Sequence, residues 1–246
     1  MKYCFVIPNY NHADYIETLI KSLSAFSIPI IMVNDASDAP IKSQLIELAE
    51  QYPSLTLLHH EINQGKGGAV QTGLLFAFSQ GFDYAIQVDA DGQHCLDDIN
   101  RLLSLSKEHP NDVISGKPVY DESVPKHRYW ARYITHFWVV LETLSFKLKD
   151  TMCGYRVYPL APTVALINEV NLGKRMDFDI EVLVRLFWRG TVTQFFDTKV
   201  IYPESGISHF KAFEDNVRIS WMHTRLCFGM LIRIPSLIIR KFKKDE

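Results

Sequence analysis

Ala85-Ile86-Gln87-Val88-Asp89-Ala90-Asp91-Gly92-Gln93-His94 is the stretch from which the fold is read. It opens as an apolar, β-prone run and closes on two carboxylates one residue apart. In an extended segment residues i and i+2 point the same way. Asp89 and Asp91 are therefore expected to aim at one point just past the strand's end. Gly92 lets the backbone turn there, and Gln93 and His94 add neutral oxygen and nitrogen donors. Paired carboxylates repel unless a cation or proton sits between them. Hard oxygen ligands suit Mg²⁺ or Mn²⁺, which commonly take one or two carboxylates together with phosphate oxygens. The expectation is a metal at the carboxyl end of a strand, gripping a diphosphate. An acidic turn before a helix has the same spelling, so the flanking segments decide.

Upstream, Tyr3 to Pro8 is a strand-like run followed by the loop Asn9-Tyr10-Asn11-His12. Asp14 is expected to cap a helix to about Phe26, with Ile16, Leu19, Ile20 and Leu23 on one face. A strand over Pro29–Val33 runs into Asn34-Asp35-Ala36-Ser37-Asp38, and a helix over about Ile41–Gln51 follows. The third strand, Leu55–Leu58, leads to Asn63-Gln64-Gly65-Lys66-Gly67-Gly68, and Ala69–Gln80 reads as helix. Phe82–Val88 is the fourth strand, Leu96–Lys107 the next helix and Asp112–Gly116 the fifth strand. Short apolar strands alternating with helices imply an α/β fold with a mainly parallel sheet. In such sheets ligands bind at the carboxyl ends of the strands. Each polar cluster so far lies at one of those ends.

Asn9-Tyr10 and Asp35 are placed to hold a nucleoside, through a stacking ring and an accepting carboxylate; Asp35 serves equally as a turn residue. Gly65-Lys66-Gly67-Gly68 opens a helix, so backbone N–H groups and an ammonium are expected to face one anion. The spacing is not that of a Walker loop. After Gly116 the alternation stops, and Lys117–Lys126 reads as a loop. Arg128–Lys149 is aromatic and basic-edged, either a core helix, the commoner outcome, or a helix facing lipid. Arg156, entering a short strand, is a phosphate contact or a surface ion pair. Asp177, Asp179 and Glu181 crowd a helix start, which the helix dipole explains in part. Val192–Ile201 reads as a strand, and His209 follows in a glycine-containing loop, where a structural role is the commoner one for a lone histidine.

With 246 residues, 47% hydrophobic and 22% charged, the chain is of a size and composition for one α/β domain with an appendage. Cys4, Cys95, Cys153 and Cys227 show no paired spacing, which argues against a zinc site or a disulfide framework. Met1-Lys2 runs straight into a strand, without a signal-peptide pattern. The net charge of −2 hides an asymmetry: residues 216–246 carry seven Lys/Arg and two Asp/Glu, a balance of +5, leaving −7 elsewhere. Arg218, Arg225, Arg233 and Arg240 fall on one stripe of a helix among Trp221, Leu226, Phe228, Leu231 and Ile232. Pro235 is expected to kink or divide that helix. Its charge-free runs are too short to span a bilayer, so the tail is expected to lie in an anionic membrane interface, or else to pack on the domain or on a second subunit as a homodimer.

Six stretches in order resemble family 2 glycosyltransferases of the GT-A fold, nearest to the dolichyl- and polyprenyl-phosphate sugar synthases. They are Val6-Ile7-Pro8-Asn9-Tyr10-Asn11, Val33-Asn34-Asp35-Ala36-Ser37, Asn63-Gln64-Gly65-Lys66-Gly67, Asp89-Ala90-Asp91-Gly92-Gln93-His94, Cys153-Gly154-Tyr155-Arg156-Val157-Tyr158, and Phe178-Asp179-Ile180-Glu181 with Ser208-His209-Phe210. The resemblance implies a Rossmann-like central sheet flanked by helices. It implies a catalytic domain over 1–212, with a nucleotide-sugar half over 1–116 and an acceptor half over 117–212, and an amphipathic helical tail over 213–246. It implies a UDP- or GDP-linked donor held by Pro8, Tyr10, Asn11, Asp35, Lys66 and Asp89. Asp89, Asp91 and Gln93 would hold Mg²⁺ or Mn²⁺. The acceptor would be lipid-linked, the location cytoplasmic and peripheral on the inner face of the cytoplasmic membrane, and no nucleic acid is expected as a partner. Where the family often has two aspartates, this chain has Asn34-Asp35.

For a hydroxyl acceptor a carboxylate must take the proton, with Asp179 the first choice and Glu181 the second. A lipid phosphate is already ionised and needs no strong base; Arg156 and His209 would then hold it. A nucleotidyltransferase would place a glycine-rich basic loop after the first strand, where this chain has Pro8-Asn9-Tyr10-Asn11. A nucleotide-sugar-binding scaffold without activity would need decayed acidic clusters, and both are intact.

Overall fold

The computed structural model describes residues 1–119, 126–199 and 211–242. Among them seven strands form a sheet: β1 (Tyr3–Asn9), β2 (Ile30–Asn34), β3 (Leu55–His59), β4 (Tyr84–Gln87), β5 (Val113–Val119), β6 (Arg156–Pro159) and β7 (Thr193–Lys199). Their order is β3-β2-β1-β4-β6-β5-β7. β6 runs antiparallel to both β4 and β5, and the other pairings are parallel. The helices are α1 (Ile16–Ser24), α2 (Ala39–Gln51), α3 (Lys66–Ser79), α4 (Ile99–Glu108), α5 (Lys126–Thr143), α6 (Leu160–Glu169), α7 (Phe178–Trp188) and α8 (Ala212–Phe242).

The expected mainly parallel sheet is present, and its central strands are apolar on both faces because helices cover both. Along β1, Cys4 and Val6 join the core that includes Val70 and Leu74 of α3 and Leu183 of α7. Phe5 and Ile7 join the opposite core, with Leu19 and Leu23 of α1 and Ile99 of α4. This period of two sends alternate residues to alternate faces. Because β6 is reversed, its first residue, Arg156, pairs in register with the last residue of β4, Gln87. Both ends therefore lie at the edge where β1 and β2 also finish.

Several local expectations are corrected. Asp14 does not cap α1: Tyr15 holds the cap position without a side-chain bond, and Asp14 is exposed. Burial of Ile16, Leu19, Ile20 and Leu23 sets where that helix starts. β5 continues past Gly116 to Val119, paired throughout with β7. α6 follows β6 directly, with Pro162 in its first turn where no N–H is required. α5 ends at Thr143 rather than near Lys149, because Leu144 turns into the left-handed region at φ 50°. It is neither core nor free surface: Val139 and Glu142 are buried while Ile134, Phe137 and Leu141 are exposed.

The tail is a single helix, which Pro235 does not divide. By length and composition Ala212–Arg240 is long and apolar enough to cross a membrane, although charges interrupt its apolar runs. α8 packs on α5 and α7 through Met222, Leu226, Met230 and Leu237. Three of the four stripe arginines turn toward α7, the packing on the domain expected as the alternative to a membrane interface. Arg225 reaches Glu181 Oε2 at 3.3 Å, Arg233 lies 4.6 Å over the Trp188 ring, and Arg240 donates to the Phe187 carbonyl at 3.0 Å. The helix has a single periodic stripe, and α7 offers a carboxylate, an indole face and terminal carbonyls along it. Phe213, Val217, Trp221, Phe228, Leu231 and Ile232 are left exposed.

Candidate active site

β4 ends at Gln87, and residues 90–92 already turn. Asp89 and Asp91 are thus not alternate residues of one strand, and the extended geometry expected for them does not hold. Asp91 Oδ1 accepts the Gln93 N–H at 3.0 Å, closing a turn in which Gly92 takes φ +72°. The group that converges with Asp89 is Asp179, and Lys66 joins them. Lys66 Nζ stands 2.7 Å from Asp89 Oδ2 and 2.9 Å from Asp179 Oδ2. Gln87 Nε2 donates to Asp89 Oδ1 at 3.3 Å and to Asp179 Oδ1 at 3.4 Å. The two carboxylates therefore share one polar neighbour.

The glycine-rich stretch explains this meeting. Lys66 is the first residue of α3 and Asp179 the second of α7. A Cβ at Gly67 would collide with the Phe178 side chain, so a glycine lets the two helix starts touch. The Gly68 N–H donates to the Lys174 carbonyl at 2.9 Å and locks the contact. Of the backbone N–H groups expected to face an anion, those of Gly65 and Gly68 are committed elsewhere: the Gly65 N–H, together with that of Gln64, binds Asp35 at 2.7 and 2.8 Å. Gly65 holds the turn at φ +92°.

Asp35 is buried and serves this loop. Besides the two N–H groups it meets His60 Nδ1 at 2.7 Å, and His60 Nε2 lies 2.9 Å from Thr72 Oγ1. Its carboxylate has these partners within the protein, at the position where a nucleoside contact was expected. Asn11 ties two loops together: its N–H donates to Ser37 Oγ at 2.9 Å and its Oδ1 accepts the Asp38 N–H at 2.9 Å. Pro8 is buried and Tyr10 half-buried at the same edge. Between them the Asn9 side-chain amide is fully buried, with neither its nitrogen nor its oxygen bonded to any described residue.

Arg156 is fully buried and donates to the Asp179 carbonyl at 2.7 Å, the Thr151 carbonyl at 2.8 Å and the Tyr158 hydroxyl at 3.2 Å. Tyr158 in turn donates to Gln87 Oε1 at 3.2 Å. Arg156 thus organises the floor of the site and is no surface phosphate contact. Glu181 faces away. Its Oε1 accepts from Arg185 at 2.8 Å, and its Oε2 accepts the Gly173 N–H at 2.8 Å and Arg225 at 3.3 Å. The geometry sets it among the supports of α8, not within reach of the cluster. His209 lies outside the described residues.

Electrostatics keep the cluster charged. Burial pushes the Asp89 carboxyl up, but the Lys66 ammonium and His94 more than offset this and hold it down at about 2. Burial likewise opposes a charged Lys66, and Asp179 and Asp89 together raise it above the ordinary lysine range. Burial pushes His94 below its usual value; its Nδ1 accepts the Asp89 N–H at 3.2 Å and its ring stacks on Tyr155.

No group of three or more His, Cys, Asp or Glu gathers for a metal among the described residues. The donor chemistry nevertheless fits Mg²⁺ or Mn²⁺ completed by phosphate oxygens, which needs only one or two carboxylates. Gly154 keeps a cradle open there. A Cβ on it would stand 2.9 Å from Asp89 Oδ2, 2.8 Å from Lys66 Nζ and 2.7 Å from Gln87 Nε2. Gln87, His60 and Gly154 carry no sequence signal of their own, because each acts through a neighbour distant along the chain.

The profile of glycosyl transferase family 2 matches residues 4–170. A dolichyl-phosphate beta-glucosyltransferase of Trichomonas vaginalis is 29% identical over 200 residues, covering 73% of this chain. The chain spans 60% of that relative's length. An undecaprenyl-phosphate mannosyltransferase of Micrococcus luteus is 25% identical over 193 residues, 75% of this chain and 77% of that one.

 Among solved structures, a mannosyltransferase from Pyrobaculum calidifontis in complex with GDP-Man and Mn²⁺ superposes with a TM-score of 0.59 at 16% identity, over 94% of this chain and 64% of that one. The Mycobacterium tuberculosis glucosyl-3-phosphoglycerate synthase gives 0.65 at 14% identity, over 92% of this chain and 80% of that one. At these identities the likeness is one of fold, and the fold is the GT-A fold expected.

Proposed function

The chain belongs to glycosyl transferase family 2, and from that premise we propose that it moves a sugar from a UDP- or GDP-linked donor to a lipid-linked phosphate, with inversion and with Mg²⁺ or Mn²⁺. The observation that carries this reading is the Lys66 ammonium held between Asp89 and Asp179 at the carboxyl edge of the sheet. Relatives named for dolichyl-phosphate and undecaprenyl-phosphate support the acceptor class.

Asp89 is assigned to the cation, with Asp91 and Gln93 on the turn that follows it. Bound there, the cation would neutralise charge on the departing diphosphate. Lys66 is assigned to the diphosphate oxygens, and Pro8, Asn9, Tyr10 and Asn11 to the nucleoside, where the unpaired Asn9 amide offers a donor and an acceptor. Asp35 holds the loop that carries Lys66. Asp179 orients Lys66, and with an ionised phosphate as acceptor it has no proton to remove.

The test is an assay of the full chain with labelled nucleotide-sugars against a polyprenyl phosphate and the matching polyprenol. Product on the phosphate alone is expected. A general base contributes roughly 10²–10⁴ in rate, so the turnover of Asp179→Asn is expected to fall by less than about 10². Transfer to the free polyprenol, with a larger fall in that variant, would overturn the phosphate reading.

The same proposal places the protein peripherally on the inner face of the cytoplasmic membrane, seated by α5 and α8. Ile134, Phe137 and Leu141 of α5 and Trp221, Phe228 and Ile232 of α8 are exposed. A groove of about 670 Å³ lies between the two helices, lined by Ile134, Trp138, Leu141, Ile219 and Leu231 among others. With Arg225, Arg233 and Arg240 spent on α7, apolar insertion dominates the seating. Full burial of a large apolar side chain is worth about 1.5–3 kcal/mol. Co-sedimentation with phosphatidylglycerol vesicles is expected to survive high salt, and Trp221→Ser with Phe228→Ser to weaken it at least about tenfold. Binding that vanishes at high salt, or no binding at all, would overturn the apolar seat.

A further inference from the structure

The Lys66 side chain is bound to the two carboxylates that the proposed function gives to the metal and to its surroundings. Its Nζ is 2.7 Å from Asp89 Oδ2 and 2.9 Å from Asp179 Oδ2. Asp179 is 4% exposed, and a carboxylate so enclosed needs a cation beside it. The other basic groups near the two carboxylates among the described residues are fixed. Arg156 Nη1 stays 3.9 Å from Asp179 Oδ1, because its hydrogen bonds go to the Thr151 and Asp179 carbonyls and to Tyr158. His94 Nε2 is 3.6 Å from Asp89 Oδ2, and its ring is stacked on Tyr155. Lys66 by contrast sits at a helix start on a flexible four-carbon stem. Gly154 leaves room at this point, since a Cβ there would stand 2.8 Å from Nζ.

We infer that Lys66 is an internal counterion that holds the cation position between Asp89 and Asp179 and yields it to a divalent metal when a nucleoside diphosphate offers the ammonium another anion. A metal arriving alone must break two short ion pairs and leave a half-buried ammonium unpaired. A metal arriving with a diphosphate breaks the same pairs, and the ammonium then pairs with phosphate oxygens. Lys66 thus has two positions, and each ligand biases the choice between them. Coupling of this kind is reciprocal, so metal strengthens diphosphate binding by the factor by which diphosphate strengthens metal binding.

This rests on the metal placement of the proposed function, but its test uses neither a sugar donor nor a lipid. Mn²⁺ affinity of the full chain is measured by electron paramagnetic resonance of the free ion, without nucleotide. Lys66→Gln is expected to bind Mn²⁺ about tenfold or more tightly than wild type, within the usual range of coupling between sites. Lys66→Arg keeps the charge and is expected to stay as weak as wild type. Lys66→Gln binding no more tightly would overturn the inference. If circular dichroism shows that this variant does not fold, acylation of Lys66 in the wild-type chain, followed by mass spectrometry, decides instead. Mn²⁺ alone is expected to speed acylation, and UDP or GDP added with it to slow it again; a rate unmoved by Mn²⁺ would overturn the inference. A failed transfer assay with a positive Mn²⁺ result would leave the counterion standing and remove only the substrate reading.

Discussion

Asp89→Asn is expected to lower turnover by roughly 10²–10³, the usual cost of losing one preorganised stabiliser of developing charge. Asparagine keeps the shape and can still meet Gln87, but it is neutral. Lys66 then has a single carboxylate, Asp179, at 2.9 Å. A hard divalent cation loses the one anionic oxygen that stands nearest to Lys66 in the site. The fold is expected to persist, because Asp89 lies beyond the end of β4 and outside the apolar cores. Steady-state kinetics with a thermal melt check both points. A folded variant retaining a third or more of wild-type turnover would place the metal elsewhere.

Glu181→Ala acts on stability instead. The carboxylate is fully buried and accepts from Arg185, Arg225 and the Gly173 N–H. Removing one partner of a buried ion pair typically costs about 3–5 kcal/mol, because the remaining charge is left without compensation. Here two arginines lose their partner, and one of them belongs to α8. Urea unfolding is expected to show a loss of that size, with turnover per folded molecule close to wild type. A hundredfold fall in turnover at unchanged stability would return Glu181 to the role of base.

The parallel half of the sheet is legible because its strands are short apolar runs bounded by Pro, Gly, Asn and Asp, and burial on both faces demands such runs. β6 is four residues long, and nothing in Arg156–Pro159 encodes its direction; only its pairing with β4 and β5 does. The partnership of Asp89 with Lys66 and Asp179 was equally hidden. Three segments meet there, whereas the spacing of Asp89 and Asp91 suggested an extended pair where residues 90–92 turn instead. Glu181 was separable from Asp179 in principle, since two residues on a helix lie roughly 200° apart around its axis. The arginine stripe of α8 was visible, but periodicity gives the phase of a stripe and not what it faces.

The reversed strand has a consequence for synthesis. Among the described residues β5 pairs only with β6 and β7. The first four strands, β3-β2-β1-β4, can therefore assemble as the chain leaves the ribosome, but β5 must wait, unpaired, until residue 159 has emerged. Asp89 and Lys66 are in place early, while Gly154 and Asp179 arrive only with the second half. The nascent chain thus carries an open sheet edge at β4 for some seventy residues, from Gln87 to Arg156. That interval, rather than the finished fold, is where a chaperone would have a surface to hold.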